Sequence, residues 1–134
     1  MHTIRCRNIT HRRNSAGEWE ETLESEYYLN EPEDGEIIYR IKGDTREPVV
    51  FRHGCNQPTT NLQATDKCNL IEQEVSTDYG KYTVRKEGDK YIKETYDTHG
   101  RLTETIRFST NGDIRWLTYI DDGTIHEFRR ERVD

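Results

Sequence analysis

The sequence is poor in most features that announce a function. It has one methionine, three prolines and three cysteines in 134 residues, and no apolar run approaches the ~20 residues a helix needs to cross a bilayer. No membrane partner is expected. The start, MHTIRCRNITHRR, lacks the apolar centre of a signal peptide, so the expected location is cytoplasmic. Cys6, Cys55 and Cys68 are odd in number and form no C-x-x-C pair, which argues against a disulfide framework and a zinc ribbon. Free thiols in a reducing compartment are favoured over a Cys55–Cys68 bridge. Hydrophobic residues make up only 31% of the chain against 34% charged, so any core is thin. A net charge of -6 argues against nucleic acid, whose phosphates ask for a basic surface. A basic protein partner fits better. Glycine-rich phosphate loops and a G-x-S-x-G elbow are both missing. His2, His11, His53, His99 and His126 are scattered without ligand spacing, and no metal or cofactor is expected.

What the chain does have is aromatic residues and regularly spaced glycines. Eight Tyr, two Trp and three Phe supply large buried area with few rotors, which lets a thin core hold. Gly88, Gly100, Gly112 and Gly123 lie in EGDK, THGR, TNGD and DDGT, where each supplies the positive φ of a tight hairpin turn. Between them RLTETIRF places Leu102, Glu104, Ile106 and Phe108 on one face, and DIRWLTYI groups Ile114, Trp116, Thr118 and Ile120. Residues 80 to 132 therefore read as a five-stranded meander.

The same alternation runs upstream. In EWEETLESEYYL, Trp19, Glu21, Leu23, Ser25, Tyr27 and Leu29 alternate with Glu18, Glu20, Thr22, Glu24, Glu26 and Tyr28, predicting a long strand with an acidic outer face. TIRCRNITHRR joins it through NSAGE, and EIIYRIK and PVVFRH follow, linked by GDTRE. NLIEQEVST, residues 69–77, reads as a strand or a short helix, and the polar CNQPTTNLQATDKC before it as the one long loop.

Residues 1–134 form one domain on this reading. Nine or ten short strands in so small a chain must close or stack. The short turns favour an up-and-down barrel, with a two-sheet sandwich as the alternative. In size and strand number this resembles the calycin group of lipocalin and fatty-acid-binding barrels. The letters GEW at Gly17–Trp19 match the lipocalin Gly-x-Trp, without the surrounding pattern, and the helical lid of fatty-acid-binding proteins has no counterpart. Locally, YDTHGRL at residues 96–102 resembles the Tyr-Asp-x-x-Gly-Arg-Leu core of YD repeats in large bacterial shell-forming toxins. That likeness implies a covered hairpin turn and no chemistry.

Charged residues that alternate onto apolar faces are the main functional signal. Glu21 falls among Trp19, Leu23 and Tyr27, Glu104 among Leu102, Ile106 and Phe108, and HEFRRERV interleaves Arg130 and Arg132 with His126 and Phe128. Such charges pair across an interior, line a wet cavity, or lie at a barrel end or on the opposite face from the one that alternation assigns; the last is the plainer reading and the cavity the sharper one. A non-enzymatic barrel would then bind a small amphipathic or anionic ligand through Arg130, Arg132, Glu104, Trp116, Phe128 and Tyr119. The alternative is an acidic protein–protein interaction module of the inhibitor or immunity type, steered by EWEETLESEYY. An enzyme built on His53 and Cys55 ranks third, with no catalytic residue assigned; Asp97 with His99 stands in a turn, and nothing in the sequence brings these groups together. Pairing of Tyr27 and Tyr28 between copies would give a homo-oligomer.

Overall fold

Four hairpin turns share one hydrogen-bond pattern. Asn14, Asp97, Ser109 and Ile120 each donate their N–H to the carbonyl four residues on, at 2.8–2.9 Å, and accept the N–H of Gly17, Gly100, Gly112 and Gly123 in return. Those glycines have φ between 78° and 92°, as a three-residue hairpin loop with a left-handed last position requires. Gly43 and Gly88, at φ 63° and 62°, instead open two-residue turns of the II′ kind. The glycine spacing thus sets where the chain reverses.

The computed structural model of the chain describes residues 1–33, 35–51, 72–109 and 112–134. His53, Cys55 and Cys68, and the expectations attached to them, lie outside these residues. Among the described residues there are ten strands: β1 (His2–Arg13), β2 (Trp19–Glu31), β3 (Ile37–Lys42), β4 (Thr45–Val50), β5 (Gln73–Thr77), β6 (Gly80–Glu87), β7 (Lys90–Tyr96), β8 (Leu102–Ser109), β9 (Ile114–Tyr119) and β10 (Ile125–Arg132). The fold is all-β and antiparallel, and the end of NLIEQEVST is strand, not helix.

Eight strands form one sheet in the order β2-β1-β10-β9-β8-β7-β6-β5, while among the described residues β3 and β4 pair with each other alone. The meander runs unbroken from β5 to β10, and the N-terminal hairpin docks on its last strand. Among the described residues no ladder joins β2 to β5, so the sheet is open with those two strands as edges.

Register defines two faces. On the apolar face one row runs Tyr91, Phe108, Ile114, Arg130, Cys6, Tyr27 across six strands. Ile4, Val84 and Ile106 on this face are at most 3% exposed, and burying each contributes about 1.5–3 kcal/mol. Rings and cations cover the surface: Tyr91 stacks on Phe108 at 6.1 Å, and Lys86 and Lys93 lie over Tyr91 and Tyr82. The other face is charged, yet it buries Ile9, opposite Glu127, and Ile92, opposite Arg107.

Candidate functional site

Strand β2 departs from its expected alternation. Its pairing with β1 slips by one residue: Asn8 faces Ser25, but Ile9 faces Leu23. Glu24 is the extra residue of a β-bulge, which sends the two halves of the strand to opposite faces. Ser25, Tyr27 and Leu29 therefore join Asn8, Cys6 and Ile4, whereas Trp19, Glu21 and Leu23 join Arg13, His11 and Ile9. Glu21 accordingly shares no face with Tyr27.

Every β2 residue from Trp19 to Asn30 is exposed. The strand carries Glu20, Glu21, Glu24, Glu26 and Glu31 and no cation. Its neighbour β1 is basic, with Arg7 opposite Glu26, His11 opposite Glu21 and Arg12 opposite Glu20. Three of the β1 cations nevertheless turn to β10, while Arg13 donates to the Gly17 carbonyl and lies over the Trp19 ring. Arg5 and Arg7 both bind Glu131, and His11 binds Glu127 at 2.8 Å. Glu31 pairs with Arg130. Among the described residues Glu20 accepts only an Asn14 amide proton and Glu26 only the Tyr28 hydroxyl at 3.5 Å, so neither has an ion pair. Apart from Glu31, the acidic strand is left with its charge unspent, and among the described residues its outer edge is unpaired.

The six residues expected to hold a ligand divide unevenly. Phe128 stands opposite Trp116, Arg130 opposite Ile114, and Arg132 opposite Ile4, all on the apolar face. Glu104 joins them there, opposite Thr118. Tyr119, opposite Ile125, falls on the charged face. Trp116 and Phe128 line an open hollow of about 500 Å³ with Asn8, Thr10, Arg12 and His126. Arg130 and Arg132 are engaged elsewhere, by Glu31 and Glu33. The Arg132 guanidinium beside Glu33 holds that carboxyl below its usual range.

Asp97 and His99 act within their turn. The Asp97 carboxylate accepts the N–H groups of His99 and Arg101 and the Arg101 side chain. The Arg101 amide leads in holding it below the ordinary aspartate range. Among the described residues no group of His, Cys, Asp and Glu could hold a metal ion, and no helix is long and apolar enough to cross a membrane.

The charged face holds a constellation absent from the expected set. Glu127 is 2% exposed and accepts from Arg115 at 2.6 Å, Arg129 at 2.7 Å and His11 at 2.8 Å. Burial pushes its carboxyl up, but these partners, Arg115 foremost, bring it down to about 2. The turns carried a signal for this cluster: Arg107 and Arg115 are equidistant from residue 111, and Arg115 and Arg129 from Asp122. Folding the sequence at those points aligns the three arginines. Comparison with protein-family models, with curated proteins and with solved structures gave no match to the chain.

Proposed function

We propose that this chain is a protein-interaction module that receives a basic, extended segment along the outer edge of β2. The observation that carries this reading is the disposition of charge at that edge: Arg5, Arg7 and His11 of β1 are bound to Glu131 and Glu127 and Arg13 to the Gly17 carbonyl, which leaves the carboxylates of Glu20, Glu21, Glu24 and Glu26 without an ion pair among the described residues and open to an outside partner. An edge strand offers a row of unpaired N–H and C=O groups, and an added strand gains main-chain hydrogen bonds whatever its side chains. Carboxylates on both faces then select for Arg and Lys and speed association. Exposed Trp19, Leu23, Tyr27 and Tyr28 supply apolar contact area. A second copy is a poorer occupant, because it sets one acidic strand against another.

The test uses a fluorescent peptide of alternating Arg and Val. It should bind the wild type with a strong salt dependence and slow hydrogen exchange at β2 amides, and the combined Glu18→Lys, Glu20→Lys, Glu24→Lys and Glu26→Lys variant should lose it. Equal binding by wild type and variant, or protection confined to other strands, overturns the proposal.

A second reading retains the amphipathic ligand, favoured by the hollow beside Trp116 and Phe128. A closed barrel belongs to that reading and would require β2 and β5 to meet. An anilinonaphthalene dye quenched by Trp116→Ala and untouched by the Lys variant is its expected signature.

A further inference from the structure

Like charges placed directly opposite each other across strands are destabilising, so a row of them requires a compensating charge. The charged face has such a row. Arg7 stands opposite Arg129, Arg129 opposite Arg115, and Arg115 opposite Arg107, four guanidinium groups on four successive strands. Compensation is uneven along it. Glu131 takes Arg7, and the buried Glu127 takes Arg129 and Arg115. Arg107, at the far end, is exposed and has no ion pair among the described residues, its next neighbour across the sheet being Ile92.

Beside it, at the β8–β9 end of this face, lies an open hollow of about 250 Å³, room for roughly eight waters at liquid density. Arg107, Arg115, Arg129 and Lys90 line it, together with Asp113 and Glu131. Both carboxylates have other work: Glu131 holds Arg5 and Arg7, and Asp113 accepts the Arg132 N–H. Lys90, like Arg107, is exposed and without an ion pair among the described residues. On a chain of net charge -6, this corner concentrates cations.

We propose that this corner binds a tetrahedral dianionic oxyanion, free phosphate or sulfate or a terminal phosphate monoester, between Arg107, Arg115 and Lys90. A carboxylate is planar and is satisfied by one guanidinium fork, whereas a tetrahedral anion presents oxygens in several directions and fits donors converging from different strands. Arg115, already fixed by Glu127 at 2.6 Å, is a pre-set wall of the site. Arg107 and Lys90 supply the uncommitted charge. The site is separate from the β2 edge and does not rest on it.

Titration of the ¹⁵N-labelled protein with inorganic phosphate at pH 7.5, at constant ionic strength, tests this. Side-chain Nε signals of Arg107 and Arg115 should shift along one saturable curve that nitrate does not reproduce. Arg107→Ala and, separately, Lys90→Ala should weaken binding roughly tenfold or more, the usual loss for a charge-assisted hydrogen bond. Arg46→Ala, on the β3–β4 hairpin, should leave it unchanged. Neither test residue has an ion pair to lose among the described residues, so both variants should keep the wild-type spectrum apart from the signals of the changed residue. Phenyl phosphate saturating at lower concentration than phosphate identifies a monoester, and the reverse order a free anion. No saturable shift, an equal response to nitrate, or wild-type affinity in both variants overturns the site.

Discussion

At the scale of single residues, the glycines are not interchangeable. Gly100 has φ 78° and open space where a Cβ would stand, whereas a Cβ on Gly80 would run into the backbone carbonyl of Tyr96. Gly100→Ala meets only the cost of a left-handed L-residue, about 1–2 kcal/mol. Gly80→Ala adds a collision with main chain that cannot swing aside, and should cost about 2–5 kcal/mol. Urea unfolding of the two variants checks the order; equal losses would mean that β6 approaches β7 less closely than described. The EGDK, THGR, TNGD and DDGT signals were legible because they need only local backbone geometry. Gly80 was not, because its constraint comes from a strand sixteen residues away.

Among the elements, the meander was the most legible part and β2 the least. Five strands from β6 to β10 follow from glycine spacing and alternation, and Trp116, Phe128, Arg130 and Glu104 do share the expected face. Alternation fails at β2 because one inserted residue, Glu24, inverts everything before it, and a bulge leaves no mark in composition. Tyr119 was misplaced for a simpler reason: it neighbours the expected cluster in sequence, but strand alternation puts adjacent residues on opposite faces. The arginine row was legible only after folding the chain at its turns. The open edge of β2 makes a prediction of its own. Since Glu20, Glu24 and Glu26 lack ion pairs among the described residues, changing any one to Lys should alter stability by less than about 0.5 kcal/mol. Glu131→Gln, which removes the acceptor of Arg5 and Arg7, should cost more than each of them. Thermal melts that reverse this ranking would show that β2 is held to the sheet by its charges.

For the whole molecule, stability should fall in acid, and the sign follows from the carboxylates. Glu127, Glu131, Asp97, Asp122 and Glu33 all lie below their ordinary range in the folded chain. For Glu131, the Arg5 side chain is the first cause, and for Asp122 it is Thr124. A group depressed by folding contributes stability that is complete above its unfolded pKa and disappears as pH falls through its folded one. The window opens near pH 4.5, the ordinary glutamate value, and for Glu127 reaches down to about 2. Glu127 alone contributes on the order of 3 kcal/mol at neutral pH, because it is buried among three cations. Protonating it also leaves Arg129 facing Arg115 without compensation, on a sheet with no second layer packed over that face among the described residues. The expected result is a melting temperature that is flat from pH 8 to about 5 and falls steeply toward pH 2, with Glu127→Gln already lowered at pH 7 and flatter below pH 4. A wild-type protein equally stable at pH 7 and pH 2.5 would mean that the apolar face alone holds the sheet and that the ion pairs on the other side contribute nothing to folding.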